Sequence, residues 1–381
     1  MLRLPTPPIL QFGTSRFLLA HAALFVSQAL DAGEALGGIR VVQTTRSAAS
    51  ARRVAALAGG AAYPVRVRGL RGGVVVDETL ACHAVHDALQ ADTSWNRLLD
   101  AVAGDVRVII SNTGDEGFAL VDGDRSDCVD GRDRVPGSFP AKLLVLLHGR
   151  WRARNPTRLS IYPCELVENN GDTLRDLVAG LAMRWNLGGE FSAWLREHCV
   201  WANSLVDRIV SEPLEPVGAI AEPYALWAIE RQPGLVLPCL HPAIVLTDDL
   251  KRHERLKLFL LNLGHTFLAE RWLVDGRDRD ETVLRAMHDG PLRAELEALW
   301  AQEVLPVFDA LGQGADAQRY LVDLRERLCN PFLAHRLADI AQNHSLKKAR
   351  RLAPVVELAL QLGLALPLRR LRQALARGGS T

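Results

Sequence analysis

The chain has 381 residues, and its 45 lysines and arginines almost balance 44 aspartates and glutamates. At about 150 residues per domain, this length predicts two domains or one large domain with additions. The net charge of +1 disfavours a general nucleic-acid binder or an anionic-membrane binder, since both need a basic excess or a basic stripe. Six scattered cysteines without a C-x-x-C pair are typical of reduced structural thiols.

The sequence shows no signal for secretion or for a membrane span. Pro5, Pro7 and Pro8 interrupt the start, where a signal peptide would need an apolar core. No run of about eighteen apolar residues occurs anywhere in the chain. We therefore expect a cytoplasmic monomer or homodimer without a nucleic-acid or membrane partner.

The first part of the chain alternates short strands with helices. The predicted elements are a strand at residues 9–12, a helix at 17–30, a strand at 39–43, a helix at 48–57, a strand pair at 63–67 and 74–76, and strands at 106–111 and 159–162. This alternation is typical of an open, doubly wound sheet. Residues 1–245 are therefore predicted to form an α/β domain of the Rossmann type.

Helical periodicity dominates the remainder of the chain. The predicted helices span residues 254–272, 281–304, 318–327, 332–343 and 353–362. Residues 246–381 are therefore predicted to form an all-α domain. The last residues, from Arg369 onward, are interpreted as a basic tail that frays.

The turn after the first strand has features of a dinucleotide phosphate site. It consists of Gly13, Thr14, Ser15, Arg16 and Phe17. Glycine at its start lets backbone N–H groups approach a pyrophosphate at a helix N-terminus. Ser15 stands where a second glycine is usual, so the turn alone is equally consistent with an ordinary strand–helix connection.

The end of the second strand bears on the choice of cofactor. NAD sites usually carry an acidic residue there, whereas this chain has Gln43, followed by Thr44, Thr45 and Arg46. Arg46 can pair with the 2′-phosphate of NADP, or it can be a solvated surface residue. NAD and NADP both remain open, with NAD favoured.

Three polar side chains interrupt an otherwise apolar helix: Lys257, Asn262 and His265. At about 100° per residue, Asn262 lies roughly 140° and His265 roughly 80° around the axis from Lys257, so the three share one side. Buried polar groups must be hydrogen-bonded or face a cleft. Since burial lowers the pKa of a lysine, Lys257 is a candidate base for carbonyl/alcohol redox chemistry. The alternative is a snorkelling lysine and a satisfied core histidine.

These stretches together resemble the mannitol dehydrogenase family of polyol and hexuronate dehydrogenases. The resemblance is carried by Gln11-Phe12-Gly13, Ser111-Asn112-Thr113 with Glu116-Gly117, the segment 203–209 (NSLVDRI), Glu222-Pro223-Tyr224, the Lys257, Asn262 and His265 pattern, and Arg327-Leu328-Cys329-Asn330-Pro331. Residues 138–143 and 163–166, with residues 170–172, are most similar to the tagaturonate reductase branch, the hexuronate oxidoreductases.

The resemblance implies NAD(P)-linked interconversion of a ketose or keto-hexuronate, tagaturonate- or fructuronate-like, with its polyol or aldonate. It makes Lys257 the general acid/base and Asn262 and His265 the oxyanion-binding pair. The implied substrate-binding residues are Asn203, Asp207, Arg327 and Lys347. The predicted cofactor-binding residues are Gly13, Thr14, Ser15, Arg16, Phe17, Gln43, Arg46, Asn112, Thr113 and Glu116.

The sequence also permits other interpretations. A neutral polyol dehydrogenase, mannitol- or altritol-like, is one, and a catalytically silent nucleotide-binding homologue is another, because Ser15 and Leu19 depart from the family's turn. His83 and His86 have no third ligand at a suitable spacing, so no metal is expected. Glu165 and Glu168 follow a strand end, where they either line a ligand cleft or cap a helix.

Overall fold

The structure, a computed structural model, describes residues 7–114 and 117–376. Contacts divide the chain into two units. Unit 1 contains the described residues up to Arg66 together with Thr79–Ala221 and Ala225–Leu250. Unit 2 contains Val67–Glu78, Glu222–Tyr224 and the described residues from Lys251 onward.

The strands of the described chain form three sheets. They are β1 (Ile9–Phe12), β2 (Ile39–Gln43), β3 (Tyr63–Arg71), β4 (Val74–Cys82), β5 (Val85–Gln90), β6 (Val108–Ser111), β7 (Leu159–Pro163), β8 (Cys199–Trp201), β9 (Ser204–Asp207), β10 (Val210–Pro213), β11 (Ala219–Ala221), β12 (Leu226–Glu230) and β13 (Ile244–Thr247). The two smaller sheets have the orders β10-β11-β3-β4 and β13-β12-β9, and β3 and β4 continue from unit 1 into unit 2.

The largest sheet has the strand order β5-β2-β1-β6-β7-β8, and every neighbouring pair is parallel. The chain therefore moves outward from β1 to β5 and then returns to build β6, β7 and β8 on the other side. This reversal makes the β1/β6 pair the topological switch point, outside whose carboxyl ends ligands bind in such sheets. Both strands are buried along their whole length, as expected for a sheet covered on two faces. The predicted Rossmann-type domain is confirmed.

The helices of unit 1 cover this sheet. They are α1 (Arg16–Leu19), α2 (Ala22–Asp31), α3 (Ala48–Leu57), α4 (Trp95–Ala103), α5 (Phe139–Arg152), α6 (Asn170–Arg184) and α7 (Gly189–His198), with a 3₁₀ turn at Ser126–Cys128. The sequence does not predict α4 to α7, β5 or β8 to β13.

The single helix predicted over residues 17–30 is wrong in one respect, because the chain breaks at Ala20 and His21 into α1 and α2. The buried His21 ring stacks on Phe17, packs at a tilt against Phe25 and lies 3.1 Å from the carbonyl oxygen of Leu226. Apolar spacing continues through this point, so periodicity could not reveal the break.

Unit 2 is mostly helical, as predicted. Its helices are α8 (Leu250–Leu256), α9 (Leu263–Val274), α10 (Val283–His288), α11 (Gly290–Leu299), α12 (Leu305–Ala310), α13 (Gly314–Leu328), α14 (Leu337–Ile340), α15 (His344–Arg351), α16 (Ala353–Gln361) and α17 (Arg369–Ala376). Two π-helical segments, Lys257–Asn262 and Trp300–Val304, join α8 to α9 and α11 to α12. None of the helices described here is both long and apolar enough to cross a bilayer.

Three predicted features of unit 2 differ from the structure. The helix predicted at 281–304 is interrupted at Asp289, whose carboxylate accepts from the Leu292 backbone N–H at 3.1 Å and so begins α11. The helix predicted at 332–343 is wrong, because only Leu337–Ile340 is helical there. The prediction that the chain frays from Arg369 onward is wrong for residues 369–376, which form α17. Glu303 accepts from the Arg370 and Leu371 N–H groups at the start of this helix. Residues 377–381 lie outside the described chain.

The π-helical segment Lys257–Asn262 changes the geometry expected for the polar helix. In an α-helix, residues five apart lie about 140° apart around the axis. In a π-helix, by contrast, the N–H of residue i+5 bonds to the carbonyl of residue i. The wider turn therefore brings Lys257 and Asn262 closer to one face than a regular helix would.

A glycine packs this segment against the core of unit 2. A Cβ on Gly264 would lie 2.8 Å from Cζ2 of Trp300, whose side chain is fully buried in the other π-helical segment. Because the indole ring is rigid and enclosed, it cannot move aside cheaply.

We expect Gly264→Ala to lower the free energy of unfolding by about 1–3 kcal/mol, since the added methyl group overpacks the core. The control is Gly180→Ala in α6, where an added Cβ meets nothing within 4 Å. That helical substitution should be neutral or stabilising by up to about 1 kcal/mol. Urea unfolding followed by tryptophan fluorescence measures both, and equal midpoints for the two variants would contradict the packing argument.

Candidate active site

A cavity of about 190 Å³ lies at the carboxyl ends of β1, β2 and β6 in unit 1. It is lined by Gly13, Thr14, Ser15, Gln43, Thr44, Thr45, Ser50, Arg53, Asn112, Thr113 and Gly114. Six of the residues predicted to bind the cofactor are in this lining: Gly13, Thr14, Ser15, Gln43, Asn112 and Thr113. Of the others, Arg16, Phe17 and Arg46 are not in it, and Glu116 lies outside the described residues.

Gly13 allows the two central strands to meet at the cavity. Its φ is +119°, and a Cβ there would lie 2.5 Å from the backbone carbonyl oxygen of Asn112. Any side chain would therefore both strain the turn and collide with the end of β6. Since α1 has only four residues, phosphate binding here would depend on the N–H groups of the turn more than on a helix dipole.

A buried carboxylate holds the other wall of the cavity. Glu165 is 4% exposed, and it accepts hydrogen bonds from Ser111 Oγ, Thr113 N and Thr113 Oγ1, each at 3.0 Å. Burial raises the pKa of Glu165, while the hydrogen bonds from Thr113 act in the opposite direction. Glu165 thus positions the loop after β6. Glu168, by contrast, is exposed, and its carbonyl oxygen accepts from the Thr173 hydroxyl.

Asn203 and Asp207, which the resemblance assigned to the substrate, belong to unit 1. The Asn203 amide donates to Asp172 Oδ2 at 2.9 Å and to Glu230 Oε2 at 2.8 Å, and its oxygen accepts from the Asp172 N–H. Both donor hydrogens are thus used within the unit. Asp207 is buried at the end of β9. A substrate contact by either residue stays a prediction.

Unit 2 contains the predicted catalytic residues. Lys257 and Asn262 are half-buried, and His265 is 7% exposed with its ring 4.9 Å from the ring of His335. The buried Thr266 hydroxyl donates to the Asn262 carbonyl oxygen at 2.8 Å. The next turn of this helix is therefore linked to the π-helical segment by a side chain as well as by the backbone.

Three half-buried basic side chains, here called the basic cluster, lie beside this helix: His335, Lys347 and Arg351. Arg351 Nη1 donates to Thr266 Oγ1 at 3.2 Å, and Lys347 Nζ donates to the Ile340 carbonyl oxygen at 2.7 Å. Neither cation has a carboxylate partner among the ion pairs of the described residues.

Burial and mutual repulsion both act on the basic cluster. Burial lowers the pKa of Lys347, and the charge of Arg351 lowers it further. Burial also lowers the pKa of His335, which Asp339 raises and Lys347 lowers by their charges. Lys347 and Arg351 are neighbouring cations that are partly removed from water and have no carboxylate partner among the described ion pairs. Such a pair is costly, so this position favours a bound anion. Lys347 is predicted from the sequence as a substrate residue, whereas His335 is not, because its position beside His265 depends on a contact between residues 70 apart in the chain.

Arg327, the other predicted substrate residue of unit 2, lies in a buried ion pair. Its Nε donates to both carboxylate oxygens of Glu222 at 3.1 and 3.0 Å, and Nη2 lies 2.9 Å from Glu222 Oε1. The guanidinium also lies 4.1 Å from the ring centre of Tyr224. These contacts hold the segment Glu222–Tyr224 in unit 2. Any substrate contact by Arg327 stays a prediction.

Metal ligands and cysteines add no further site. Within the described chain, no group of three His, Cys, Asp or Glu residues could hold a metal ion. His83 is engaged in unit 1 by the Ser27 hydroxyl at 3.1 Å and by Asp31 at 3.2 Å. All six cysteines lie in the described chain and are free thiols.

The parallel sheet with a cavity at its switch point and the helical unit with its lysine-bearing segment define a dehydrogenase architecture. Two family models match the chain: the mannitol dehydrogenase Rossmann domain over residues 8–235 and the mannitol dehydrogenase C-terminal domain over residues 249–377. The chain belongs to the mannitol dehydrogenase family.

Similar curated proteins are altronate oxidoreductases. That of Halalkalibacterium halodurans is 31% identical over 91% of this chain and 69% of its own length. That of Bacillus subtilis is 30% identical over 93% of this chain and 76% of its own. This protein, like them, is an oxidoreductase that acts on CH–OH groups.

Two solved structures share the fold. Mannitol 2-dehydrogenase of Pseudomonas fluorescens, in a ternary complex with NAD and D-mannitol, has a TM-score of 0.74 at 20% identity and covers 97% of this chain and 77% of its own. A substrate-free D-sorbitol dehydrogenase has a TM-score of 0.81 at 19% identity. The match covers 97% of this chain and 79% of the D-sorbitol dehydrogenase chain.

We expect Glu165→Ala to weaken NADH binding about tenfold, because it leaves the Thr113 N–H and two hydroxyls without their acceptor. Glu165→Gln should lose less NADH affinity than Glu165→Ala, since the glutamine amide oxygen can still accept from the Thr113 N–H. Fluorescence titration with NADH measures the affinity, and circular dichroism checks the fold. Glu168→Ala is the matched control on the same loop and should bind as the wild type does. An unchanged dissociation constant in a folded Glu165→Ala protein would show that this carboxylate does not organise the cavity.

Proposed function

We propose that the protein is an NAD(P)-dependent oxidoreductase that interconverts a keto-hexuronate, tagaturonate- or fructuronate-like, with its aldonate. The basic cluster beside the Lys257 helix is the observation that carries this proposal. Two half-buried cations with no carboxylate partner among the described ion pairs favour a substrate that brings its own carboxylate. The relatives named altronate oxidoreductases support the same substrate class.

The dinucleotide belongs to the cavity of unit 1. When bound, it accepts hydride from the alcohol carbon or returns hydride to the carbonyl carbon. The backbone of the turn at Gly13 lines one side of this cavity, and Asn112 and Thr113 form the facing wall. NAD is proposed as the working cofactor, and the shared fold with a dehydrogenase whose structure contains NAD supports it.

Lys257 acts as the general acid and base. In the oxidative direction its neutral amine takes the hydroxyl proton of the substrate, and in the reductive direction its ammonium gives that proton back. Asn262 and His265 donate hydrogen bonds to the same substrate oxygen as negative charge develops on it. The π-helical turn supports this assignment, because it brings Lys257 and Asn262 toward one face.

Arg351 and Lys347 bind the carboxylate of the sugar acid. Arg351 is held through Thr266, which follows His265 and donates to the Asn262 carbonyl oxygen, so its guanidinium is fixed relative to the proposed oxyanion-binding pair. Lys347 is held by the carbonyl of Ile340 and retains donor hydrogens for an anion. A carboxylate between them offsets their mutual repulsion, whereas a neutral polyol cannot.

We expect Lys257→Ala to lower kcat by about 10²–10⁴-fold, the usual contribution of a general acid–base group. NADH affinity should stay near the wild-type value, because the cofactor cavity lies in unit 1. Steady-state assays with ketouronates, together with NADH titration, separate the two quantities. Lys251→Ala, an exposed lysine on the adjoining helix, is the control and should keep full turnover. Retained turnover in a folded Lys257→Ala protein would exclude the lysine mechanism.

We expect Arg351→Gln and Lys347→Gln each to raise the KM for a ketouronate by about tenfold or more, since each removes a charge-assisted hydrogen bond. The KM for a neutral ketose should change little. Arg350→Gln, an exposed neighbour, is the control. Because the pKa of Lys347 lies below the ordinary lysine value of 10.5, wild-type affinity for the acid should weaken as the pH rises through that lowered pKa.

A side-by-side assay of ketouronates and neutral ketoses with NADH and NADPH tests the whole proposal. A wild-type preference for neutral ketoses would make the protein a neutral polyol dehydrogenase. Absence of turnover with every substrate would make it a silent nucleotide-binding homologue. Activity that survives chelation but requires a carboxylate on the substrate agrees with the proposed function.

A further inference from the structure

We propose that the ribose end of the cavity in unit 1 accepts a 2′-phosphate, so that the protein binds NADP(H) as well as NAD(H), with Arg53 as the determinant. This inference rests on the proposed dinucleotide cofactor but not on the identity of the sugar substrate. The ribose end is located by β2, because the residue that ends this strand faces the adenosine ribose in Rossmann-type sheets.

The ribose end of the cavity is uncharged at the position where NAD-specific sites carry a carboxylate. Gln43 ends β2, lines the cavity and is 5% exposed. Its amide nitrogen donates to the carbonyl oxygens of Thr45 and Ser47 at 2.6 and 3.0 Å. A carboxylate at this position could not donate those bonds and would repel a 2′-phosphate. The Gln43 amide donates both bonds and carries no charge.

The orientation of Gln43 leaves one acceptor for the cofactor. Both amide hydrogens are directed to the loop carbonyls, so the two ends of the amide cannot be exchanged without setting oxygen against oxygen. Gln43 Oε1 is buried and has no hydrogen-bond partner among the described residues. A ribose hydroxyl would supply the missing donor, and NAD(H) and NADP(H) both carry a free 3′-hydroxyl.

Arg53 supplies a cation at the same end. It lies on α3 and lines the cavity together with Ser50, and its Nη2 donates to Ser50 Oγ at 3.3 Å. Within the described part of the chain, its buried Nε has no hydrogen-bond partner and Arg53 forms no ion pair with a carboxylate. None of the eleven described residues that line the cavity is acidic. A guanidinium with free donors, beside the hydroxyls of Ser50, Thr44 and Thr45, suits a phosphate dianion.

Arg46, the cation that the sequence placed at this position, does not take this role. It forms an ion pair with Asp92 at 2.8 Å, its side chain is 92% exposed, and it is not in the cavity lining. Arg53 lies three residues after Ser50, on the same face of α3. That helical spacing is the signal by which the sequence could have indicated Arg53.

Binding of nucleotide fragments tests the inference without turnover. Isothermal titration of the full chain compares 5′-AMP with adenosine 2′,5′-bisphosphate, which differ only by the 2′-phosphate. Wild-type protein should bind the bisphosphate at least as tightly as 5′-AMP. Arg53→Gln should weaken bisphosphate binding about tenfold or more and leave 5′-AMP within about twofold, since a charge-assisted bond is lost only from the former.

Two further variants sharpen the result. Arg53→Lys keeps the charge without the planar fork and should recover part of the bisphosphate affinity. Arg46→Gln is the matched control and should bind both fragments as the wild type does. NADH and NADPH fluorescence titrations should reproduce the same pattern with the whole cofactors.

The possible outcomes separate this inference from the proposed function. If wild-type protein binds 5′-AMP and NADH but binds the bisphosphate more than tenfold more weakly, the 2′-phosphate site is excluded and the oxidoreductase proposal stands. Equal weakening of both fragments by Arg53→Gln would also overturn the inference. If neither fragment nor either cofactor binds, the dinucleotide proposal itself fails.

Discussion

The contact between the first turn and the end of β6 is the constraint on which the cofactor cavity depends. At Gly13 the backbone approaches the Asn112 carbonyl so closely that a Cβ would lie 2.5 Å from it. Glycine at this position therefore lets the first turn lie directly against the end of β6, where the carboxyl ends of β1 and β6 border one cavity at the switch point of the sheet. Glu165 completes the arrangement, because it binds the loop after β6 through three hydrogen bonds.

Unit 2 uses a comparable contact between glycine and a bulky neighbour. Gly264 admits the Trp300 ring, and both residues adjoin or belong to π-helical segments. An α-helix that gains one residue in a turn must place its side chains at new angles, and such turns are frequent at functional sites. In this protein the affected residues are Lys257 and Asn262, which the proposed chemistry requires on one side of the helix.

The charges of this nearly neutral chain separate into paired and unpaired groups. Arg327 is paired with Glu222, and Lys348 is paired with the buried Glu270 at 3.0 Å. Lys347, the neighbour of Lys348 in sequence, has no carboxylate partner among the described ion pairs, and Arg53 has none either. Half-buried cations without counter-ions are costly, so their positions are the natural sites for anionic ligands. A balanced total charge is therefore compatible with two local anion sites.

The sequence alone determined the features that depend on local pattern. Alternating apolar runs predicted the Rossmann-type sheet, and 3.6-residue periodicity predicted the helical unit and the long helix through Lys257. Apolar spacing continues through the breaks at His21 and Asp289, so periodicity does not reveal them; at Asp289 a side-chain cap begins the next helix. The sequence also predicts a fraying tail at residues 369–376, because the cap of this helix, Glu303, lies far away in the sequence.

The same distinction between local pattern and tertiary contact applies to the residues of the candidate site. Residue types and their spacing identified Lys257, Asn262 and His265, because a single helix carries them. Only the tertiary structure decided which cations have partners: Arg46 faces Asp92, Arg327 faces Glu222, and Arg53 and Arg351 face no described carboxylate. The physical reason is that a charge is neutralised by groups within a few ångströms in space, and those groups come from distant parts of the chain.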